Sequence, residues 1–213
     1  NSPALSRRTP CDGYVVISKK PKPEPVRSAI EAFETDDDQL LVGGVPLERL
    51  AERIGATPFF AYDRGLITER IGELRAVLPD EVRLNYAIKA NPMPAVVQHL
   101  SALVDGFDVA SALEMNVVMD TPMPAARISF AGPGKTRDEL SRAVAAGIVI
   151  HMESETEMVT IDGLAREQNV RPAVAIRVNP GVELKSSGMR MGGGPKQFGI
   201  DEERVPDMLK KRA

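Results

Sequence analysis

Three charged side chains stand within or at the ends of short apolar runs, where a charge must be paired or used because leaving it buried and alone is costly. The first is Lys89 in Asn85-Tyr86-Ala87-Ile88-Lys89-Ala90-Asn91-Pro92. Val82, Leu84, Tyr86 and Ile88 alternate with Arg83, Asn85 and Ala87, the period of a strand whose faces differ. Pro92 cannot continue a ladder and turns Asn91 away from helix, so the strand over 82–89 must stop near Lys89. Its amine then stands at the strand's C-terminal mouth, the catalytic end of a parallel barrel. Asp108, in Gly106-Phe107-Asp108-Val109-Ala110-Ser111, ends the next strand, where its charge can orient that amine or serve the start of a helix. Arg177 lies between Ile176 and Val178, so its guanidinium should point into a polar interior. An Arg177–Asp108 salt bridge suits a catalytic and a structural reading alike.

Other candidates carry less. His151 and Glu153 share strand parity, and either can face the interior; His151 reads as a core histidine, and Ser154 as a helix cap. Gly192-Gly193-Gly194 offers backbone amides to an anion. It follows a sixth strand by a long loop, however, whereas barrel phosphate sites follow strands seven and eight. Ala131-Gly132-Pro133-Gly134-Lys135 lacks the spacing of a Walker loop, which leaves Lys135 as a loop lysine at a helix start or the active-site mouth. The acidic run 34–38 reads as a solvated loop rather than a metal site.

The elements that position these residues repeat. A strand and turn at 40–44 and a helix over 46–54 ended by Gly55 come first. Strand-then-helix pairs follow at 58–62 and 66–78, 82–89 and 94–103, 107–110 and 112–119, 127–131 and 137–146, and 148–152 and 155–168. A sixth strand begins at 173, and residues 205–213 read as a last helix. Such alternation predicts an α/β fold with a parallel sheet and right-handed crossovers that closes into a barrel. Eight units occupy about 250 residues, so this chain holds about six units of a (β/α)8 barrel. Residues 1–34 are Pro-dense and irregular, with Tyr14-Val15-Val16-Ile17 as their one candidate strand.

With 43% hydrophobic residues in 213, the chain can bury a core, and no apolar run is long enough to span a bilayer or act as a signal peptide core. That leads to an expected cytoplasmic location. The single cysteine, Cys11, excludes an internal disulfide framework. A net charge of -3 and 4% aromatics provide neither the basic field nor the stacking surface of a nucleic-acid binder.

Tyr86-Ala87-Ile88-Lys89-Ala90-Asn91 resembles the cofactor-lysine segment of the alanine-racemase-like, pyridoxal-phosphate-dependent decarboxylases, the group of diaminopimelate and ornithine decarboxylases. The likeness runs on, in the family's order, through the segments at 106–111, 129–135, 153–154, Ile176-Arg177-Val178-Asn179-Pro180 and Gln197-Phe198-Gly199-Ile200. It covers roughly 40–205, and the branch that it most resembles is the one associated with exosortase systems and acyl-carrier-bound substrates. The resemblance implies a TIM-type barrel binding pyridoxal 5'-phosphate, with Lys89 condensing with the cofactor aldehyde and Asp108 and Arg177 beside the cofactor. It also implies that residues 1–39 contribute strands to a second, all-β domain, leaving 40–213 as the partial barrel. Phosphate-binding glycines are expected later than Gly194, and a homodimer with shared sites is expected. Decarboxylation of a free or carrier-linked α-amino acid is the leading activity. A racemase of the same fold and a non-catalytic cofactor carrier are the alternatives, the segment before residue 40 arguing against the carrier. Gln197-Phe198-Gly199 departs from the commoner Ser-Lys-Phe-Gly spelling, which argues against diaminopimelate as the preferred substrate.

Overall fold

The structure, a computed structural model, describes residues 33–180 and 199–210. Cys11, the candidate strand at 14–17, the triple glycine and the whole stretch 181–198 therefore lie outside the described residues. The described chain falls into two compact units, one up to Asp63 and one from Arg64. No helix among the described residues is long and apolar enough to cross a membrane.

In the first unit the acidic run is not all loop. Thr35–Asp36 forms β1, which pairs antiparallel with β2, Gln39–Val42, through a turn at Asp37 and Asp38. β2 then turns through Gly43-Gly44 into β3, Val45–Pro46, and the backbone N–H of Gly43 donates to Asp63 Oδ2 at 2.8 Å. Helix α1, Leu47–Ile54, ends at Gly55 as the sequence predicts. The strand expected at 58–62 is corrected: the segment pairs with no strand among the described residues. Side-chain alternation carries a strand's faces but not its partner, and Pro58 brings no N–H to a ladder.

The second unit opens with α2, Arg64–Val77, and is built on a parallel sheet. Its strands are β4 (Asn85–Ala87), β5 (Gly106–Val109), β6 (Ile128–Phe130), β7 (Val149–Met152) and β8 (Val174–Ile176), lying side by side in chain order. The crossovers are α3 (Pro94–Leu100), α4 (Ala112–Met119), α5 (Arg137–Ala146) and α6 (Glu155–Gln168). Strand order that never reverses is the order of a barrel wall. A short parallel pair, β9 (Val178–Asn179) with β10 (Ile200–Asp201), and helix α7 (Val205–Lys210) complete it.

One face of the sheet is apolar. Phe107, Val109, Ile128, Phe130, Ile150 and Met152 are buried there with Val97 and Leu100 of α3, Val118 of α4, Leu140 and Val144 of α5, and Ile161 and Leu164 of α6. The helical contributors recur three and four apart, which puts each set on one stripe. The opposite face takes the alternate residues, which include Asp108, Ser129 and His151 beside Ala87, Val149 and Ala175. At the N-terminal ends of the strands the sheet is tied by Asp105, which accepts from the Leu84 N–H at 2.7 Å and from Arg75 at 2.5 Å. Next to it Gly106 has no room for a side chain, because a Cβ would meet the Arg127 carbonyl at 2.4 Å and Asn85 Oδ1 at 2.8 Å.

Candidate active site

Register aligns the polar residues. Ala87 lies opposite Asp108, Asp108 opposite Ser129, and His151 opposite Ala175, so the exposed Asn85 and the half-buried Asp108, Ser129, His151 and Arg177 belong to the face away from the apolar core. The strand expected over 82–89 is shorter than the alternation suggests. After Ala87 the chain enters a 3-10 turn, Ile88–Ala90, which carries Lys89. Ile88 is fully buried beneath it while Lys89 is exposed. Beyond the turn Asn91 Oδ1 accepts from the Met93 N–H at 3.0 Å, and the Tyr86 hydroxyl donates to the Asn91 carbonyl at 3.3 Å. Pro94 then opens α3. Lys89 is thus borne on a turn pinned at both ends, at the C-terminal mouth of β4 and two residues past the partner of Asp108.

Asp108 is not a helix cap. Ser111 caps α4 by accepting from the Glu114 N–H at 3.2 Å, while Glu114 Oε2 accepts from the Ala110 N–H at 2.7 Å. Asp108 instead accepts a hydrogen bond from the Ser129 hydroxyl across the β5–β6 pair.

Arg177 follows β8, its N–H donating to the Met152 carbonyl at 3.0 Å and its carbonyl accepting from the Ile200 N–H at 2.8 Å. Its guanidinium reaches Glu153 Oε1 at 3.3 Å. Glu153 is buried and also accepts from the Gly132 N–H at 2.6 Å. Gly199, at φ +83°, packs against this arginine: a Cβ there would meet the Arg177 carbonyl at 2.9 Å and its Cγ at 3.2 Å. The Phe198-Gly199 spelling that contributes to the resemblance thus has a steric basis at Gly199.

Lys135 lies in the loop before α5, as expected, but it is buried and paired rather than exposed. Its side chain is 1% exposed, lies 5.7 Å from the centre of the Phe130 ring, pairs with Glu157 Oε1 at 2.9 Å and donates to the Gly132 carbonyl. The helix start is served by Thr136, whose hydroxyl accepts from the Glu139 N–H at 3.3 Å. Ser154 is a cap as expected, accepting from the Glu157 N–H at 3.1 Å. His151 is half-buried rather than a core residue.

Residues 64–213 match the family model described as the pyridoxal-binding domain of the pyridoxal-dependent decarboxylases. The chain belongs to this family. It is 36% identical over 171 residues to the diaminopimelate decarboxylase of Aquifex aeolicus, covering 79% of this chain and 40% of that one. It is 37% identical over 154 residues to the L-glutamyl-(BtrI acyl-carrier protein) decarboxylase of Niallia circulans, covering 72% and 36%. A crystal structure of diaminopimelate decarboxylase from M. jannaschii superposes with a TM-score of 0.72 at 26% identity, over 85% of this chain and 44% of that one. The chain thus spans about two fifths of the length of the curated relatives that it matches, and the parallel sheet belongs to a TIM-type barrel, here partial.

The family's cofactor is pyridoxal phosphate. The residues present suit it. A primary amine, a carboxylate and a guanidinium collect at one end of a parallel sheet, and Glu153 Oε2 and Asn179 Nδ2 are buried there without hydrogen-bond partners. An amine can join the aldehyde, and the charged pair complements a ring that carries a phenolic oxygen and a basic nitrogen.

Proposed function

We propose that the protein decarboxylates an α-amino acid with pyridoxal phosphate, with Lys89 as the residue that holds the cofactor covalently and Asp108 and Arg177 as its neighbours. The observation that carries this reading is the placement of Lys89, on a pinned turn at the C-terminal mouth of β4 with Asp108 on the adjoining strand. When bound, the cofactor acts as an electron sink for the bond broken at the α-carbon. Lys89 supplies the amine and, once released, a proton donor at the same place. Asp108, fixed by Ser129, orients that amine, and Arg177 supplies a fixed positive charge on the same face.

Borohydride reduction of the full-length protein loaded with cofactor, followed by peptide mapping, is expected to place the adduct on Lys89. An adduct on Lys135 would remove the reading. Carbon dioxide release measured beside exchange of the α-proton separates decarboxylase from racemase, and neither activity would leave the carrier.

Two relatives support a finer substrate proposal, one named for diaminopimelate and one for a glutamyl group on a carrier protein. A carrier-linked or otherwise modified amino acid is the substrate we favour; placement in the exosortase-associated branch rests on the motif resemblance alone. Residues 1–39 as part of a second β domain, a homodimer and a cytoplasmic location complete the proposal.

A further inference from the structure

A closed ring of contacts surrounds Gly132 where β6 and β7 end. The Gly132 N–H donates to Glu153 Oε1 at 2.6 Å, and the Gly132 carbonyl accepts from Lys135 Nζ. Lys135 pairs with Glu157 Oε1 at 2.9 Å, and Glu157 Oε2 accepts from the Glu153 N–H at 2.8 Å, which returns the ring to its start. The Lys135 and Glu153 side chains are each 1% exposed and that of Glu157 is 9% exposed. Four charges, counting Arg177, balance as two of each sign. Replacing such a buried cluster by apolar side chains is often neutral for stability, so its role is sought in what it places.

What it places is the Arg177 guanidinium. The backbone of Arg177 is fixed by Met152 and Ile200, but its long side chain is not fixed by that. Glu153 Oε1 stands 3.3 Å from Nη1, and Glu153 cannot swing away, because the same oxygen holds the Gly132 N–H and its own N–H is held by Glu157. Arg177 is the only member of the four whose side chain is substantially open, at 28% exposed. We infer that Glu153 is a positioning residue, holding Arg177 toward the cofactor, and that Lys135 and Glu157 lock Glu153 through Gly132. The inference rests on the reading of Arg177 as a cofactor contact.

The test is a double-mutant cycle in the full-length protein with Glu153→Gln, Arg177→Ala and both, reading the dissociation constant for pyridoxal phosphate by titration and the thermal midpoint of the cofactor-free protein. Arg177→Ala is expected to weaken cofactor binding. Glu153→Gln, which keeps the shape and an acceptor for Gly132, is expected to weaken it on the order of tenfold with Arg177 present and not further in the Arg177→Ala protein, the non-additivity of two groups acting as one. Equal weakening by Glu153→Gln in both backgrounds, or none in either, overturns the inference and leaves the role of Arg177 standing. Unchanged binding by Arg177→Ala overturns that role first and the inference with it. Should Glu153→Gln yield no folded protein, Glu153→Asp takes its place: the charge stays but no longer reaches Arg177, and the same pattern is expected.

Discussion

Asp108 depends on a hydroxyl from the neighbouring strand. The Ser129 donor and the Asp108 carboxylate lie directly opposite in register, so removing the hydroxyl frees the carboxylate without disturbing the apolar face below. Ser129→Ala in the full-length protein is expected to lower kcat roughly tenfold, because a hydrogen bond to a charged group contributes about 1.5 kcal/mol. The thermal midpoint should move by no more than about 2 °C. Unchanged turnover would mean that Asp108 does not need this partner. At this scale the sequence is informative in one direction only. Lys89, Asp108 and Arg177 could be picked out because each is a charge in or at the end of an apolar run. Ser129 could not, because what makes it matter is a partner across the sheet, and inter-strand register leaves no local mark; Lys135 and Glu153 could be singled out, but not the partners that hold them.

The elements were legible where burial enforces a period. Helices at 112–119, 137–146 and 155–168 fall on the expected residues, since each carries an apolar stripe and, at its start, a serine or threonine cap. Strands were legible as faces and illegible as pairs, which is why 58–62 was expected in a sheet where it has no partner among the described residues. Two consequences can be measured on the sheet's N-terminal edge. Gly106→Ala sets a methyl group against the Arg127 carbonyl, and neither backbone can yield without moving β5 from β6; a loss of about 2–4 kcal/mol in denaturant unfolding is expected. A loss under about 0.5 kcal/mol would show that the strands part freely. Beside it, the Leu84 N–H, then Arg75, hold the Asp105 carboxyl below its ordinary value of 3.8. A carboxyl lowered on folding stabilises the native state fully above its unfolded value and loses that contribution as pH falls through the lowered folded value. Asp105→Asn should therefore destabilise at pH 7 and progressively less as the solution is taken below about pH 4. The pair is one-third exposed, so added salt should shrink the difference at pH 7. A gap between the two proteins that stays constant down to pH 2 would contradict this assignment.

For the molecule as a whole, the proposed roles of Lys89, Asp108 and Arg177 lie at the amino and carboxyl end of any amino acid. Lys89, Asp108 and Arg177 have no feature that reads a substrate's distal side chain. Selectivity must therefore come from elsewhere, and the sequence offers the stretch Lys185-Ser186-Ser187-Gly188-Met189-Arg190-Met191, whose two methionines suit a surface that adapts to different ligands. A free diamino acid rewards a closed pocket that meets its second charged end. An aminoacyl group tethered to a carrier cannot be enclosed, because its tether must leave the site, and it gains from an adaptable entrance instead. The full-length enzyme, offered diaminopimelate, ornithine, lysine, arginine and a carrier-bound glutamyl group side by side, is expected to favour the carrier-bound substrate in kcat/KM by at least about a hundredfold, the scale set when a buried polar group meant for one ligand is left unmatched by another. The difference should lie mainly in KM, since the reacting end of each substrate meets the same three residues. Faster turnover of free diaminopimelate would end the carrier proposal while leaving Lys89 and the decarboxylation untouched.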